Sequence, residues 1–373
     1  MVPVLRGDRA GSEGPLRMKD LLQRIYSDPR HDDIVRVLSC TDTSRIDTLF
    51  SFADQIRKKQ VGDGILLRGI VEFSNFCRKE CFYCGLNRTN NTLKRYRLTR
   101  EEILGAVSMI AHAHIMTVVL QSGEDEGLDA EWLKGIIEEI KARSRMAVTL
   151  SVGERSKEEF RLWRQQAGAD RYLLKIETSR PGLFDALHAE KGFRERIESL
   201  AELKRLGYQL GSGIMVGLPG QSVEALADDL LFMHKYQFDM LGIGPFIPHE
   251  QTAFRNEAIG DVSLTLKAVA LSRILVPRAH IPATTALGSV GGDYRFQGLQ
   301  AGANVLMPNF TPHPYRQLYE IYPGKRCVHE SVGSCMRCMH TFAEQCGRYI
   351  DFSPGDALRL KRSSCVSPVS ERT

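Results

Sequence analysis

The alternation of apolar and polar positions predicts two kinds of element along the 373-residue chain. Residues 18–60 place apolar side chains three and four positions apart, which predicts amphipathic helices. After the turn VGDG, short apolar, β-branched runs alternate with amphipathic segments. Such runs are typical of parallel strands covered on both faces. We predict eight strands, at residues 65–74, 116–122, 147–152, 171–178, 209–218, 239–247, 281–286 and 304–310.

The regular alternation of these strands with helices favours an α/β fold, a closed (βα)8 TIM barrel, over an open doubly wound parallel sheet. Thr99, Asp129 and Ser222 stand before helical segments as capping residues. The seventh unit is the weakest, because the glycine-rich sequence after residue 286 is short for a helix. The predicted divisions are a flexible arm (1–17), N-terminal helices (18–60), the barrel (61–322), an accessory cysteine segment (323–352) and a mobile tail (353–373).

Composition and charge exclude several classes of function. The chain is 43% hydrophobic with a net charge of +5, and no apolar run approaches the roughly 18 residues that span a bilayer. The first 17 residues contain no apolar core of a secretory signal. The basic stretch 93–100 is too short to indicate nucleic-acid binding. We expect a cytoplasmic monomer that binds neither nucleic acid nor membranes.

The nine cysteines are more informative than the composition. In a reducing compartment, clustered cysteines are more often metal ligands than disulfides. Cys40 and Cys365 stand alone, and we interpret them as a small apolar residue and a tail residue. We interpret Cys346 as a buried apolar residue, with a fourth ligand of the second group as the alternative. The remaining six form two groups, Cys77, Cys81 and Cys84, then Cys327, Cys335 and Cys338.

The first group follows the first predicted strand with the spacing C-x3-C-x2-C. Three thiolates are one fewer than a closed 4Fe–4S cluster or a structural zinc site needs. A cluster with three protein ligands keeps one iron open, and catalysis requires an open coordination position. A zinc site completed by a distant residue and a chance grouping are the alternatives. Paired C-x2-C units are usual for zinc, and this loop has one, so the sequence favours an iron–sulfur cluster with Cys77, Cys81 and Cys84 as its catalytic ligands.

This spacing, with the aromatic Tyr83 before the third cysteine, resembles the signature of the radical S-adenosylmethionine (SAM) superfamily. The resemblance implies that SAM binds the open iron and is cleaved to a 5′-deoxyadenosyl radical, with a low-potential protein as electron donor. The protein then has to position SAM and exclude water from the radical. The resemblance and the strand ends together predict a SAM-binding shell of Tyr83, Ser122, Gly123, Glu124, Glu177, Arg196, Gly213, Met215, Gly242, Phe246 and Tyr319.

Physical reasons also support the assignment of two residues to this shell. Gly123 allows the backbone to approach a ligand closely. Glu177 lies in an apolar strand and needs a partner, because burying an unpaired carboxylate is costly. The resemblance assigns Glu177 to the ribose hydroxyls and Arg196 to the SAM carboxylate. A structural ion pair between Glu177 and Arg196 is the alternative.

Several segments, among them IVEFSNFCRKECFYCGL and MPNFTPHPYRQLY, resemble the HydE family of FeFe-hydrogenase maturases, as does the C-x7-C-x2-C spacing of the second cysteine group. The resemblance implies action on a small iron-containing or cysteine-derived substrate, an iron–carbonyl–cyanide–cysteine precursor from a partner maturase. It also implies an accessory cluster, 2Fe–2S or a second 4Fe–4S, on Cys327, Cys335 and Cys338. The predicted substrate pocket consists of Thr149, Lys175, Thr284, Thr285 and Met307, beside Ser122 and Tyr319.

The sequence departs from the HydE family pattern at one place, and two other functions remain possible. The family often has a basic residue and then His before the Glu-Thr pair, whereas this chain has Lys175 and Ile176. Lysine cannot make the bidentate contact of arginine, so a carboxylate would be held differently. The alternatives are a radical SAM enzyme of the biotin synthase or methylornithine synthase type, acting on an organic substrate, and a non-catalytic barrel with structural metal.

Overall fold

The computed structural model describes residues 17–360 of the chain. The expected arm up to residue 16, and residues 361–373 with Cys365, lie outside the described residues. The N-terminal region forms three helices, α1 (Met18–Ser27), α2 (His31–Leu38) and α3 (Thr43–Val61), as its periodicity predicts. These helices pack against the outside of the following domain, with α3 and α2 against the helices that cover its later strands.

Parallel strands form the centre of the molecule. One sheet has six strands in chain order, and a second sheet has three. Isolated bridges join the two sheets, at Ile70 with Asn309, at Met240 with His280 and at Pro282 with Val305. The ring of strands is therefore closed, as a (βα)8 barrel requires. The strands are β1 (Gly64–Leu67), β2 (Gly69–Ser74), β3 (Thr117–Ser122), β4 (Ala147–Ser151), β5 (Arg171–Leu173), β6 (Gln209–Val216), β7 (Met240–Pro245), β8 (Val305–Leu306) and β9 (Tyr349–Asp351).

Helices cover the outside of this ring. Thr99, Asp129 and Ser222 accept hydrogen bonds from the first turns of α4, α5 and α9, which confirms the predicted caps. A π-helical turn, Leu162–Gln166, continues α6, and a 3₁₀ turn, Thr285–Gly288, precedes α11. The helices are α4 (Arg100–His112), α5 (Ala130–Arg143), α6 (Lys157–Arg161), α7 (Pro181–Leu187), α8 (Phe193–Arg205), α9 (Val223–Tyr236), α10 (Val262–Leu275), α11 (Arg295–Gln300), α12 (His313–Arg316) and α13 (Val332–Gln345).

Four predicted strands differ from the observed ones. The predicted strand 65–74 is two strands, because the backbone breaks at the buried Arg68. The predicted strand 171–178 ends at Leu173, since Glu177 adopts a left-handed backbone with φ of +62°. The seventh predicted strand, 281–286, is reduced to bridges and the 3₁₀ turn, and the eighth, 304–310, to the two residues of β8.

Residues 353–360, the last described residues, pack against the N-terminal end of the barrel. Residues 353–360 were expected in a mobile tail, but the backbone oxygen of Pro354 accepts hydrogen bonds from Thr117 (2.9 Å) and Arg171 (2.7 Å). Asp356 accepts from Arg171 (2.7 Å) and Gln209 (2.8 Å). This segment is therefore fixed to three strands of the barrel, and any free tail starts later in the chain. Within residues 17–360, no helix is both long and apolar enough to cross a membrane.

Candidate active site

The first cysteine group lies on the loop that follows β2, at the C-terminal end of the barrel. The loop is held from both sides by backbone contacts. Cys81 pairs with His188 as an antiparallel bridge, and the Phe82 N–H donates to the Leu187 carbonyl (2.9 Å). On the other side, the Gly85 N–H donates to the Ile321 carbonyl (2.9 Å). The thiols thus lie on a loop whose shape other parts of the barrel rim determine.

The environment of these thiols fits a bound iron–sulfur cluster. Burial raises the pKa of Cys77, Cys81 and Cys84, that of Cys84 to about 12. Neighbouring cysteines raise the pKa of Cys81 and Cys84 further, so the sulfurs share one small volume. Backbone N–H groups of Lys79 and Glu124 point at the Cys77 sulfur. Hydrogen bonds to ligand sulfurs and low solvent exposure are features of iron–sulfur sites.

The first cysteine group does not form a site for a single metal ion. Within residues 17–360, no three Cys, His, Asp or Glu side chains converge on the point that one metal ion would occupy. A 4Fe–4S cluster binds each cysteine through a different iron, so its ligands need no common point.

Gly123 brings the end of β3 against the cysteine loop. A Cβ atom at this position would lie 2.3 Å from the Phe76 carbonyl oxygen and 2.8 Å from the Cys77 Cβ. The next residue is also tied to the loop, because the Arg78 N–H donates to the Glu124 carbonyl (2.9 Å). The predicted close approach of the backbone at Gly123 is therefore present, and its first partner is the cysteine loop itself.

A buried network of charges lies beside this contact. Arg196 donates to Glu154 (2.5 Å), and Lys79 also pairs with Glu154 (2.9 Å). The Glu124 carboxylate lies 4.0 Å from Arg196, and burial together with Glu154 raises the pKa of Glu124. At Glu154 the nearby positive charges of Arg196 and Lys79 lower the pKa by more than burial raises it, so the pKa of Glu154 is lowered. Arg196 therefore has a carboxylate partner within the protein, and a bound carboxylate would have to compete with Glu154.

Glu177 is paired with Lys175 rather than with Arg196. The Lys175 ammonium lies 2.9 Å from the Glu177 carboxylate, and Arg196 donates to the backbone oxygen of Lys175. The alternative ion pair between Glu177 and Arg196 does not form in the described structure. Two backbone hydrogen bonds hold Glu177 against β6. Its N–H donates to the Gly213 carbonyl, and its carbonyl accepts from the Met215 N–H.

Three predicted SAM-shell residues come together in one apolar cluster. Tyr83 and Met215 pack with the buried Phe246, next to Leu187 and Leu218. The Tyr83 hydroxyl lies 3.2 Å from a ring nitrogen of His188. The backbone of His188 is the partner of Cys81 in the bridge that holds the cysteine loop. This apolar cluster lies beside Cys81 and Cys84, and its partly buried members, Tyr83 and Met215, suit packing against an adenine ring.

Gly213 and Gly242, both predicted SAM-shell residues, lie beside the Lys175 side chain. Added Cβ atoms at these positions would lie 2.9 Å and 3.9 Å from the Lys175 Cε. At Gly213 the Cβ would also lie 2.1 Å from the Gly242 carbonyl oxygen. The two glycines therefore make room for the Lys175 side chain and for the close pairing of β6 with β7.

The predicted pocket residues lie on several strand ends. Thr149 is buried in β4 between Val148 and Leu150, which pack outward in the core, so its hydroxyl points inward. That hydroxyl has no hydrogen-bond partner in the described structure. Thr284 donates to the Ile243 carbonyl (3.2 Å). Thr285 is the first residue of the 3₁₀ turn, and Met307 directly follows β8.

The two remaining residues make hydrogen bonds of their own. The Ser122 hydroxyl donates to the Gly123 carbonyl, and the buried Tyr319 hydroxyl accepts from the Gln121 side-chain amide.

The second cysteine group is assembled by the segment beyond the barrel. The Cys335 thiol donates to Cys327, and Arg295 lies beside it, so the pKa of Cys327 is lowered. Arg295 also lies within electrostatic range of Cys338. Cys346 is apart from this group, in a surface pocket with Asp47, Asp54 and Arg348. The structure thus brings together the three predicted cysteines and leaves Cys346 elsewhere.

Sequence reasoning missed two charged members of this site. Lys79 lies between the first two cysteines of the loop, and Glu154 is three residues after the end of β4. Both therefore satisfy the rule that active residues of a barrel lie at the C-terminal ends of its strands. Applying that rule to every strand end would have found Glu154.

A three-cysteine loop after the first barrel strand, with a polar and apolar shell on the following strand ends, defines a radical SAM type of barrel. A model of the radical SAM superfamily matches residues 71–233. The chain is 51% identical over 311 residues to the FeFe hydrogenase maturase subunit HydE of Thermotoga maritima, with 83% of this chain and 89% of that protein covered. The chain therefore belongs to the radical SAM superfamily and, within it, to the HydE family.

Two solved structures have the same fold. Methylornithine synthase (PylB) superposes with a TM-score of 0.76 at 22% identity, covering 92% of this chain and 99% of that one. The maturase HydG of Carboxydothermus hydrogenoformans gives a TM-score of 0.74 at 18% identity, covering 92% and 81%. At these identities the likeness concerns the fold alone.

Proposed function

We propose that this chain is a radical SAM enzyme of FeFe-hydrogenase maturation. Its 4Fe–4S cluster would be held by Cys77, Cys81 and Cys84. When bound there, the reduced cluster supplies the electron that breaks the S–C5′ bond of SAM and so provides a 5′-deoxyadenosyl radical. The observation that carries the proposal is the juxtaposition of the three thiols with the backbone at Gly123, in a chain 51% identical to a HydE protein.

The chain's own residues would bind and orient SAM. We assign the adenine to the cluster of Tyr83, Met215 and Phe246, because this cluster is apolar and lies beside the thiols. The backbone at Gly123 and Glu124 is assigned to the methionyl amino group, and Glu177 to the ribose. For Arg196 we propose a supporting role: its ion pair with Glu154 keeps the rim charged and ordered next to the SAM carboxylate.

The barrel interior suits a small substrate that accepts hydrogen bonds. The buried Thr149 hydroxyl has no hydrogen-bond partner among residues 17–360. An unsatisfied buried donor is costly, and a bound ligand would satisfy it. The Lys175 ammonium, 2.9 Å from Glu177, is a second donor at the mouth. These groups favour a hydrogen-bond-accepting molecule, and we propose the iron–carbonyl–cyanide–cysteine precursor as substrate, with Thr284, Thr285 and Met307 around it.

Other parts of the proposal concern partners and the second site. We propose that Cys327, Cys335 and Cys338 hold an accessory cluster, because the fold gathers these thiols beside one arginine. Partner maturases would deliver and accept the substrate, and a low-potential protein would supply electrons. Such chemistry needs reduced thiols, so we propose that the enzyme works in the cytoplasm.

Anaerobic reconstitution tests the proposal. Protein loaded with iron and sulfide, reduced with dithionite and given SAM should release 5′-deoxyadenosine, measured by chromatography. Fully loaded protein that releases none would refute the enzyme assignment. A chromosomal deletion separates the substrates: loss of FeFe-hydrogenase activity supports maturation, and intact hydrogenase activity would point to an organic substrate instead.

A further inference from the structure

A fully buried carboxylate on α9 lies behind the SAM-shell strand ends, and no step described so far uses it. Asp229 is 0% exposed. One of its oxygens accepts hydrogen bonds from the Thr178 hydroxyl (3.1 Å), the Ser179 hydroxyl (2.7 Å) and the Ser179 N–H. Both donors follow Glu177 directly in the chain. Asp229 therefore fixes the loop that leaves β5 at the position of Glu177.

The second oxygen of Asp229 extends the same network to β6. It accepts from the Gln221 side-chain amide (3.2 Å), which also donates to the Met215 carbonyl (3.0 Å). The Gln221 side-chain oxygen accepts from the Gly217 N–H (2.8 Å). Asp229 and Gln221 together thus tie the end of β6 to the loop after Glu177.

Glu177 has a conformation that needs such support. Its φ of +62° is in the left-handed region, which is unfavourable for a residue with a Cβ. Residues held in this region persist when their surroundings over-determine them, and they cluster at functional sites. In this conformation the Glu177 side chain reaches Lys175 at the barrel mouth, while the next two residues turn away to Asp229.

We propose that Asp229 is a positioning residue for SAM binding, because its hydrogen bonds to Thr178, Ser179 and Gln221 hold Glu177 in the left-handed conformation that presents its carboxylate to the ribose. The hydrogen bonds of Asp229 in residues 17–360 go to Thr178, Ser179 and Gln221, and none of them reaches the cysteine loop. The inference rests on the proposed cleavage of SAM, and it adds a residue on an outer helix to the determinants of SAM affinity.

The test compares Asp229→Asn with Asp228→Asn, the same change one residue earlier on the same helix. Asp228 is partly exposed and pairs with Arg180 (2.6 Å) on the outer face. Asparagine at 229 turns one acceptor into a donor facing the Gln221 amide. Reconstituted proteins are assayed for 5′-deoxyadenosine release at varied SAM. We expect KM for SAM to rise about tenfold in Asp229→Asn, equal to about 1.4 kcal/mol, with kcat and iron content within about twofold of wild type, and no change in Asp228→Asn.

A milder variant covers the case in which Asp229→Asn does not fold. Thr178→Val keeps the side-chain shape and removes one donor to Asp229, and we expect a smaller rise in KM for SAM. Unchanged KM in folded Asp229→Asn or Thr178→Val would overturn the inference. A fall in iron content as large as the loss of SAM affinity would also overturn it, because such a result indicates general damage to the protein. Wild-type protein that releases no 5′-deoxyadenosine would instead refute the proposed function.

A pH profile gives an independent readout. Burial raises the pKa of Asp229 to about 6, and the protonated acid is a poorer acceptor. KM for SAM in wild type should therefore rise as the pH falls through about 6, and this rise should be absent in Asp229→Asn. On the outer side of α9, Asp228 pairs with Arg180 and lies 3.4 Å from the His31 ring. Glu224 and Lys235 are further charged residues of this helix. The Asp228→Asn profile measures how much the Asp228 group contributes to the pH dependence. Parallel wild-type and Asp229→Asn profiles would contradict the inference.

Discussion

Replacing Gly123 with alanine tests the contact between β3 and the cysteine loop. The new Cβ would lie 2.3 Å from the Phe76 carbonyl oxygen and 2.8 Å from the Cys77 Cβ. Non-bonded heavy atoms prefer about 3.5 Å or more, so the loop has to withdraw by about 1 Å. Overpacking of this kind costs about 1–3 kcal/mol. A displacement of about 1 Å at a reacting centre can lower the rate about 100-fold.

The assay has two parts, iron and sulfide content after anaerobic reconstitution and the rate of 5′-deoxyadenosine release. We expect Gly123→Ala to fold, to bind less iron and to release 5′-deoxyadenosine about 100-fold more slowly. Gly105→Ala is the matched control, because a Cβ there meets no atom within 4 Å and Gly105 lies inside α4. Alanine should stabilise that helix by roughly 0.5–1 kcal/mol. Wild-type iron content and rate in Gly123→Ala would refute the reasoning.

Three further predictions concern other parts of the molecule. Cys81→Ala should abolish iron binding and SAM cleavage, whereas Cys335→Ala should leave SAM cleavage mostly intact; equal loss in the two rates would mean that the second site is not accessory. Glu154→Gln removes the nearer of the two carboxylates beside the buried Arg196 and leaves Glu124 at 4.0 Å, so it should cost about 1–3 kcal/mol in urea unfolding at pH 7; because the pKa of Glu154 is lowered in the fold, the deficit should shrink as the pH falls below about 4.5, and a pH-independent deficit would contradict this. Gly355→Val places a Cβ on a backbone with φ of +60° and 2.6 Å from Leu66, so limited proteolysis should cleave this segment faster than in wild type, and equal rates would show that the segment tolerates the change.

The sequence predicted elements well where a local rule decides them. Thr99, Asp129 and Ser222 cap their helices as predicted, because a capping side chain bonds to its own first turn. The order of strands and the position of the cysteine loop follow in the same way from the apolar runs. These features depend on residues close together in the chain.

Features that depend on distant contacts were not predictable. The break at Arg68 and the left-handed Glu177 shorten strands that look continuous by pattern. The strand β9 forms only because it pairs with β1, which is nearly three hundred residues earlier. The pairing of Lys175 with Glu177, in place of Arg196, likewise depends on where Glu154 lies in the folded barrel.

The attachment of residues 354–357 across the base of the barrel affects how molecules enter and leave. Thr117, Arg171 and Gln209 hold this segment over the end opposite the cysteine loop. If the substrate binds beside Thr149 as proposed, it would have to enter from the cysteine-loop side of the barrel, because residues 354–357 cover the opposite end.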